Sequence, residues 1–206
     1  MKNILLALFL LSTIIASAQD NTWEQPEEEQ QKEVVQKVNP DQKYLAGAVP
    51  LVNGKVVFTK HIDAPGKSAD DIYAALLKYI VKMTKESNQL GATQVLTQDS
   101  VGHAITACFE EWLVFKKNAI SLDRTRLYYA LEIKCQDGSA DIQMSHIRYL
   151  YDEARQPQRY KAEEWITDKE AVNKKNTKLL PLSGKFRRKT IDRKDFLFGK
   201  FETLLK

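Results

Sequence analysis

The sequence predicts an α+β domain in which one long helix covers an antiparallel sheet. Three observations carry that reading. Ile72, Ala75, Leu76, Tyr79, Ile80 and Met83 recur at helical spacing behind Ser68, which marks an amphipathic helix with one buried face. Leu127, Tyr129, Leu131, Ile133 and Cys135 alternate with Arg126, Tyr128, Ala130, Glu132 and Lys134, which marks a half-buried strand. Asn53-Gly54 and Asp137-Gly138 lie between β-favouring runs, and two-residue hairpin turns need residues that accept positive φ.

In chain order, Lys2 and an apolar run from Ile4 to Ile15 lead to Ala16-Ser17-Ala18. A basic start, an apolar segment and a small-x-small site predict a secretory signal peptide over residues 1–18, cleaved after Ala18. The run falls short of the about 20 residues of a membrane span, and an uncleaved anchor is the alternative. No Cys follows it, so a lipid-anchored form is not supported. The expected address is exported, periplasmic or secreted, where ATP, NAD(P)H and chromosomal DNA are not easy partners. Residues 19–43 are rich in Glu and Gln and read as a flexible arm, with a short helix around 27–38 that ends before Asn39-Pro40.

The domain itself is expected over residues 44–152. A hairpin turns at Asn53-Gly54, and its second strand stops at Ala64-Pro65-Gly66. Ser68 caps the helix and Asp71 completes an S-x-x-D capping box at its positive end. Strands follow at Thr93–Thr97, at Val101–Phe109 and at Trp112–Phe115. The Arg124–Cys135 strand, the Asp137-Gly138 turn and a strand from Ala140 come next. Near Ser145-His146 the alternation slips, because Ile147 and Tyr149 continue it out of step, and a β-bulge accounts for the slip. Residues 153–206 read as a basic C-terminal extension: a helix over Glu163–Asn173, a loop opened by Ser183-Gly184, and an amphipathic helix from Ile191 to Leu205 weakened by Gly199.

Charge is unevenly spread. The chain carries +4, and +3 without Lys2, yet Asp20–Asp41 holds seven acids against two lysines and Glu153–Lys200 holds fourteen Lys/Arg against seven acids. A basic third can face anionic lipid, glycan or nucleic acid, or dock the acidic arm; a solvated face is the plainer reading. Cys108 and Cys135 are the two cysteines, and one disulfide or two buried thiols are both open.

Several stretches together resemble an exported bacterial family typical of Bacteroidetes, a domain of unknown function with a TBP-like fold. They are Val49-Pro50, Asn53-Gly54-Lys55-Val56-Val57-Phe58, Pro65-Gly66-Lys67-Ser68, Glu111-Trp112-Leu113-Val114-Phe115, Leu122-Asp123-Arg124-Thr125-Arg126 and Ala162-Glu163-Glu164-Trp165-Ile166-Thr167-Asp168. The resemblance implies a curved antiparallel sheet of about five strands with the long helix and the C-terminal helix packed on one face. It implies no activity, because fold does not carry function.

No nucleophile elbow, P-loop, dinucleotide fingerprint or zinc signature occurs, so no catalytic residue, metal or cofactor is expected. His61, His103 and His146 lie about forty residues apart in or beside strands. Glu110 and Glu111 are neighbours on a strand and face opposite sides. The candidate ligand-binding residues are Arg124, Arg126 and Tyr128, because guanidinium groups beside an aromatic on the polar face suit a carboxylate or phosphate, and equally a cross-strand ion pair. Lys185, Arg187, Arg188 and Lys189, interrupted by Phe186, form a candidate basic surface or an exposed loop. These features favour a non-catalytic module that binds an envelope protein, a glycan or a small anionic ligand, with no nucleic acid expected. The alternative is an enzyme with a dispersed active site.

Overall fold

The structure is a computed structural model that describes residues 39–118 and 121–206. The expected signal peptide, most of the arm and its short helix lie outside the described residues. None of the described helices is long and apolar enough to cross a membrane.

The hairpin at Asn53-Gly54 forms between β1 (Leu51–Val52) and β2 (Lys55–Val56), with φ of 51° at Asn53 and 75° at Gly54. Positive φ at both central residues is what lets a two-residue turn follow the twist of its strands. The strand expected to run on from Lys55 breaks at Val57 and resumes as β3 (Phe58–Asp63), which pairs elsewhere. Helix α1 (Ala69–Met83) begins as its sequence indicates: Ser68 Oγ accepts from the Asp71 amide at 3.2 Å and donates to the Asp71 carboxylate at 2.7 Å. Replacing Ser68 with alanine is expected to cost about 1 kcal/mol, read as a lower urea midpoint with an unchanged slope. The Asp137 carboxylate, which accepts from the Ala69 amide, keeps the loss from growing larger.

Among the described residues, β3, β4 (Gln94–Asp99), β5 (Ala104–Lys117), β6 (Leu122–Gln136), β7 (Ser139–Tyr151) and β8 (Gln158–Lys161) make one antiparallel sheet. Its order is β3-β7-β6-β5-β4, with β8 also paired to β7. The two strands expected on either side of Glu110-Glu111 are one continuous β5. Val101, expected in that strand, is 90% exposed, and His103 sits at a φ of 50° in the preceding turn. The bulge expected at Ser145-His146 is present: β6–β7 pairing shifts register there, and His146 has a φ of 55°.

The C-terminal segment departs most from expectation. Residues 162–173 form two short helices, α2 (Ala162–Trp165) and α3 (Asp168–Ala171), not one. Ser183-Gly184 opens no loop; it starts α4, which runs Ser183–Leu205. Gly184 is required where it stands, because a Cβ there would lie 2.6 Å from the Leu179 Cβ. Phe186, Ile191, Leu197, Phe198, Phe201 and Leu205 of α4 share one core with Ile72, Leu76 and Ile80 of α1 and Phe109, Leu127 and Leu131 of the sheet. The segment expected as an extension therefore closes the fold: α1 and α4 cover the inner face of the curved sheet, and among the described residues no long helix packs on the outer face.

Candidate functional site

Period-two alternation puts Arg124, Arg126 and Tyr128 on the open face of β6. The register places Val114 opposite Arg124, Trp112 opposite Arg126, and Glu110 opposite Tyr128. Three cross-strand residue pairs of β5 and β6 thus assemble one surface from residues that are distant in sequence.

The two arginines have different surroundings. Arg126 is clamped: it donates Nη1 to Glu110 at 2.7 Å, and Nε and Nη2 to Glu153 at 2.7 and 2.6 Å. Those two carboxylates, Glu153 foremost, raise its pKa further. Tyr128 donates its hydroxyl to Glu110 at 2.9 Å, and burial together with that carboxylate pushes the phenol up. Burial opposes the charge on Glu110, yet Arg126, the Ala92 amide and Tyr128 together hold its carboxyl below the ordinary value. Arg124 has no carboxylate partner among the described residues. Its guanidinium lies 3.6 Å from the centroid of the Trp112 ring, a cation–π contact that leaves its N–H edges free.

Arg124 and Trp112 line an open groove of about 840 Å³ with Leu122, Tyr151, Glu153 and Arg155. Leu122 is a half-exposed apolar wall, and Arg155 is bound to Asp152 at 2.8 Å. Asp123, a further residue of the groove lining, takes hydrogen bonds from Tyr151 at 3.0 Å and Lys185 at 2.7 Å. The sequence reading missed Trp112, Glu110 and Glu153 as parts of this surface. Trp112 was detectable, since counting in twos from Ile105 sets it out of phase with Phe109 and Leu113.

The expected basic surface is corrected. Arg187 is fully buried and donates to the backbone carbonyls of Tyr44, Leu45 and Ile166 and to Asp168. Its pKa falls under burial, with Asp168 opposing the fall. Lys185 is held by Asp123 and Tyr151, and Arg188 is paired with Asp41. Lys189 alone of the four has no ion-pair partner among the described residues. Asp41 at the end of the acidic arm does dock the basic third, through Arg188.

The histidines stay apart. His61 sits against Asp141 at 2.7 Å, which raises its pKa; His103 meets Asp70 at 2.8 Å; His146 meets Ser145 Oγ at 2.8 Å. Among the described residues no group of three His, Cys, Asp or Glu can hold a metal. Cys108 lies on the outer face and Cys135 in the core, so both are free thiols, and burial lifts the Cys135 pKa to about 11.

The family described as a domain of unknown function (DUF4468) with TBP-like fold matches residues 58–150. A crystal structure of a DUF4468 family protein from Bacteroides ovatus is 39% identical, with a TM-score of 0.72, over 80% of this chain and 94% of that one. The chain belongs to this family. A TBP-like protein from Parabacteroides distasonis shares the fold at 21% identity and a TM-score of 0.64, over 76% of this chain and 96% of that one. No curated protein matches the chain in sequence. The DUF4468 match spans β3 to Leu150 of β7, including Trp112, Arg124, Arg126 and Tyr128, and ends before α4.

Proposed function

We propose that this DUF4468 protein is a non-catalytic binding module of the cell envelope, exported by its N-terminal signal. Its ligand is an envelope protein, glycan or small molecule that presents a carboxylate or phosphate to Arg124. The observation that carries the reading is the contrast between the two arginines of one strand face. Arg126 is spent on Glu110 and Glu153, whereas Arg124 sits over the Trp112 ring at the mouth of a groove with no carboxylate partner among the described residues. A guanidinium fixed by an aromatic plane is preorganised for a planar anion.

The test is an array of acidic glycans and of carboxylate- and phosphate-bearing peptides and small molecules, probed with the full chain and with Arg124→Ala at low salt. Arg124→Ala is expected to weaken the ligands that bind by about tenfold, the worth of a charge-assisted hydrogen bond. Its melting temperature should not move, because the side chain is exposed. Equal binding by both proteins would sink the assignment of Arg124, and silence across the array would sink the reading.

A further inference from the structure

We propose a second binding site, in the cavity between the β1–β2 hairpin and the bulge of β7, for a small amphiphile with a carboxylate or phosphate head. The cavity measures about 430 Å³ and is lined by Val52, Lys55, Val57, His146, Arg148 and Lys161, a size and mix of walls suited to a small ligand.

The charge arrangement works against the pairing of its own strands. Arg148 of β7 and Lys161 of β8 are direct Cα partners across an antiparallel pair. Residues directly opposite point to the same face, and like charges placed so repel. Neither is neutralised firmly: Lys161 reaches Glu164 only at 3.4 Å with both side chains well exposed, and Arg148 has the Tyr128 ring at 5.3 Å. Lys55 of the hairpin adds a third cation with no acidic partner among the described residues. Glu163 is the one acid on the wall, and its Oε1 accepts from the Val56 amide at 3.0 Å.

The bulge is what creates this pair. Ala140, Ile142 and Met144 face the core, and unbroken alternation would send residue 148 inward as well. One extra residue, with His146 at a φ of 55°, restores Ile147 and Tyr149 to the core and turns Arg148 out to meet Lys161. A strained non-glycine backbone that brings two cations together is the kind of local conflict proteins keep at sites of function. Val52 and Val57 supply an apolar wall beside the cations, so the ligand pairs an anionic head with a short apolar tail.

The full chain is titrated at low salt with octanoate, octyl phosphate, octanol and inorganic phosphate, followed by calorimetry and amide NMR. One or both anionic amphiphiles are expected to saturate and to shift the amides of Lys55, His146 and Arg148, and the tighter one identifies the head. Octanol and inorganic phosphate should bind at least about tenfold more weakly. Arg148→Ala/Lys161→Ala should lose about tenfold in affinity without a lower melting temperature, since both side chains are exposed and repel. Lys174→Ala/Lys175→Ala, which removes equal charge from an exposed loop, should bind as wild type. No shift at those three amides, octanol binding as tightly as the anions, or equal loss in the loop variant would each overturn the proposal. None of the variants alters Arg124, so failure here leaves the groove reading standing.

Discussion

Replacing Arg193 with alanine is expected to destabilise the fold by about 3–5 kcal/mol, the cost of stranding a buried charge. Arg193 of α4 and Glu111 of β5 are both fully buried, and they meet in a bidentate pair with Nε–Oε1 and Nη2–Oε2 distances of 2.7 Å. Gln89, in the connection after α1, donates to the same carboxylate at 2.8 Å and bridges the Glu111 backbone. Glu111 thus ties together the sheet, the connection after α1 and the C-terminal helix. The Tyr129 phenol lies buried beside the pair, and burial, with Glu111 adding to it, raises its pKa well above the ordinary value. Arg193→Ala removes the cation that compensates the buried Glu111 carboxylate, and Glu111→Ala removes the carboxylate that compensates the buried guanidinium. Each single variant should therefore cost nearly as much as the Glu111→Ala/Arg193→Ala double, so the cycle shows strong coupling. Replacing both with apolar residues, Glu111→Leu and Arg193→Met, should recover most of the loss, because a packed hydrophobic pair escapes the desolvation penalty. Chemical denaturation of the wild type and the four variants is the measurement. Single losses below about 1 kcal/mol would mean that water reaches the pair and that it does not anchor α4.

These buried charges also explain where the sequence could and could not be read. Local rules held wherever a residue's role was set by its neighbours in the chain. The Ser68 cap, the positive φ at Asn53-Gly54, the alternation along β6 and the phase slip at Ser145-His146 are all short-range facts. The rules failed wherever a charged side chain is buried and is satisfied from far away. Glu110-Glu111 looked like a break between two strands because their partners, Arg126 and Arg193, lie 16 and 82 residues off. The first two turns of α4 looked like an exposed basic loop for the same reason. Arg187 sits on the buried face, and the carbonyls of Tyr44, Leu45 and Ile166 together with the Asp168 carboxylate make that placement tolerable. In the candidate site the face shared by Arg124, Arg126 and Tyr128 was legible from the period of two. The distinction between a clamped Arg126 and a stacked Arg124 was not, since it depends on the β5–β6 register and on Glu153 arriving from beyond β7.

Phe186→Ala is expected to cost a further about 3–5 kcal/mol on its own, the usual loss for a buried ring that leaves a cavity. Phe186 is fully buried, with the rings of Phe115, Tyr149, Tyr151, Trp165 and Tyr160 at centroid distances of 4.6, 5.1, 5.4, 5.8 and 6.0 Å. Each edge contact adds to area burial, and a rigid shell of rings cannot collapse into the space left by one of them. Phe186→Leu, which keeps most of the volume, should lose less, about 1.5 kcal/mol. The variant also has a consequence beyond stability. Tyr151, one ring of the shell, holds Asp123 at 3.0 Å, and Lys185 spans Asp123 and the Phe115 and Tyr151 rings. Asp123 adjoins Arg124, so emptying the shell removes the support beneath one wall of the groove. Near-ultraviolet circular dichroism should fall as Trp165, stacked on Tyr160 at 3.9 Å, loses its fixed surroundings, and any ligand that depends on Arg124 should bind more weakly. A Phe186→Ala protein with wild-type melting and unchanged aromatic signal would show that α4 is anchored by its charges alone. The expected result assigns the aromatic shell a double duty, seating the C-terminal helix and stiffening the end of β6 where the groove opens.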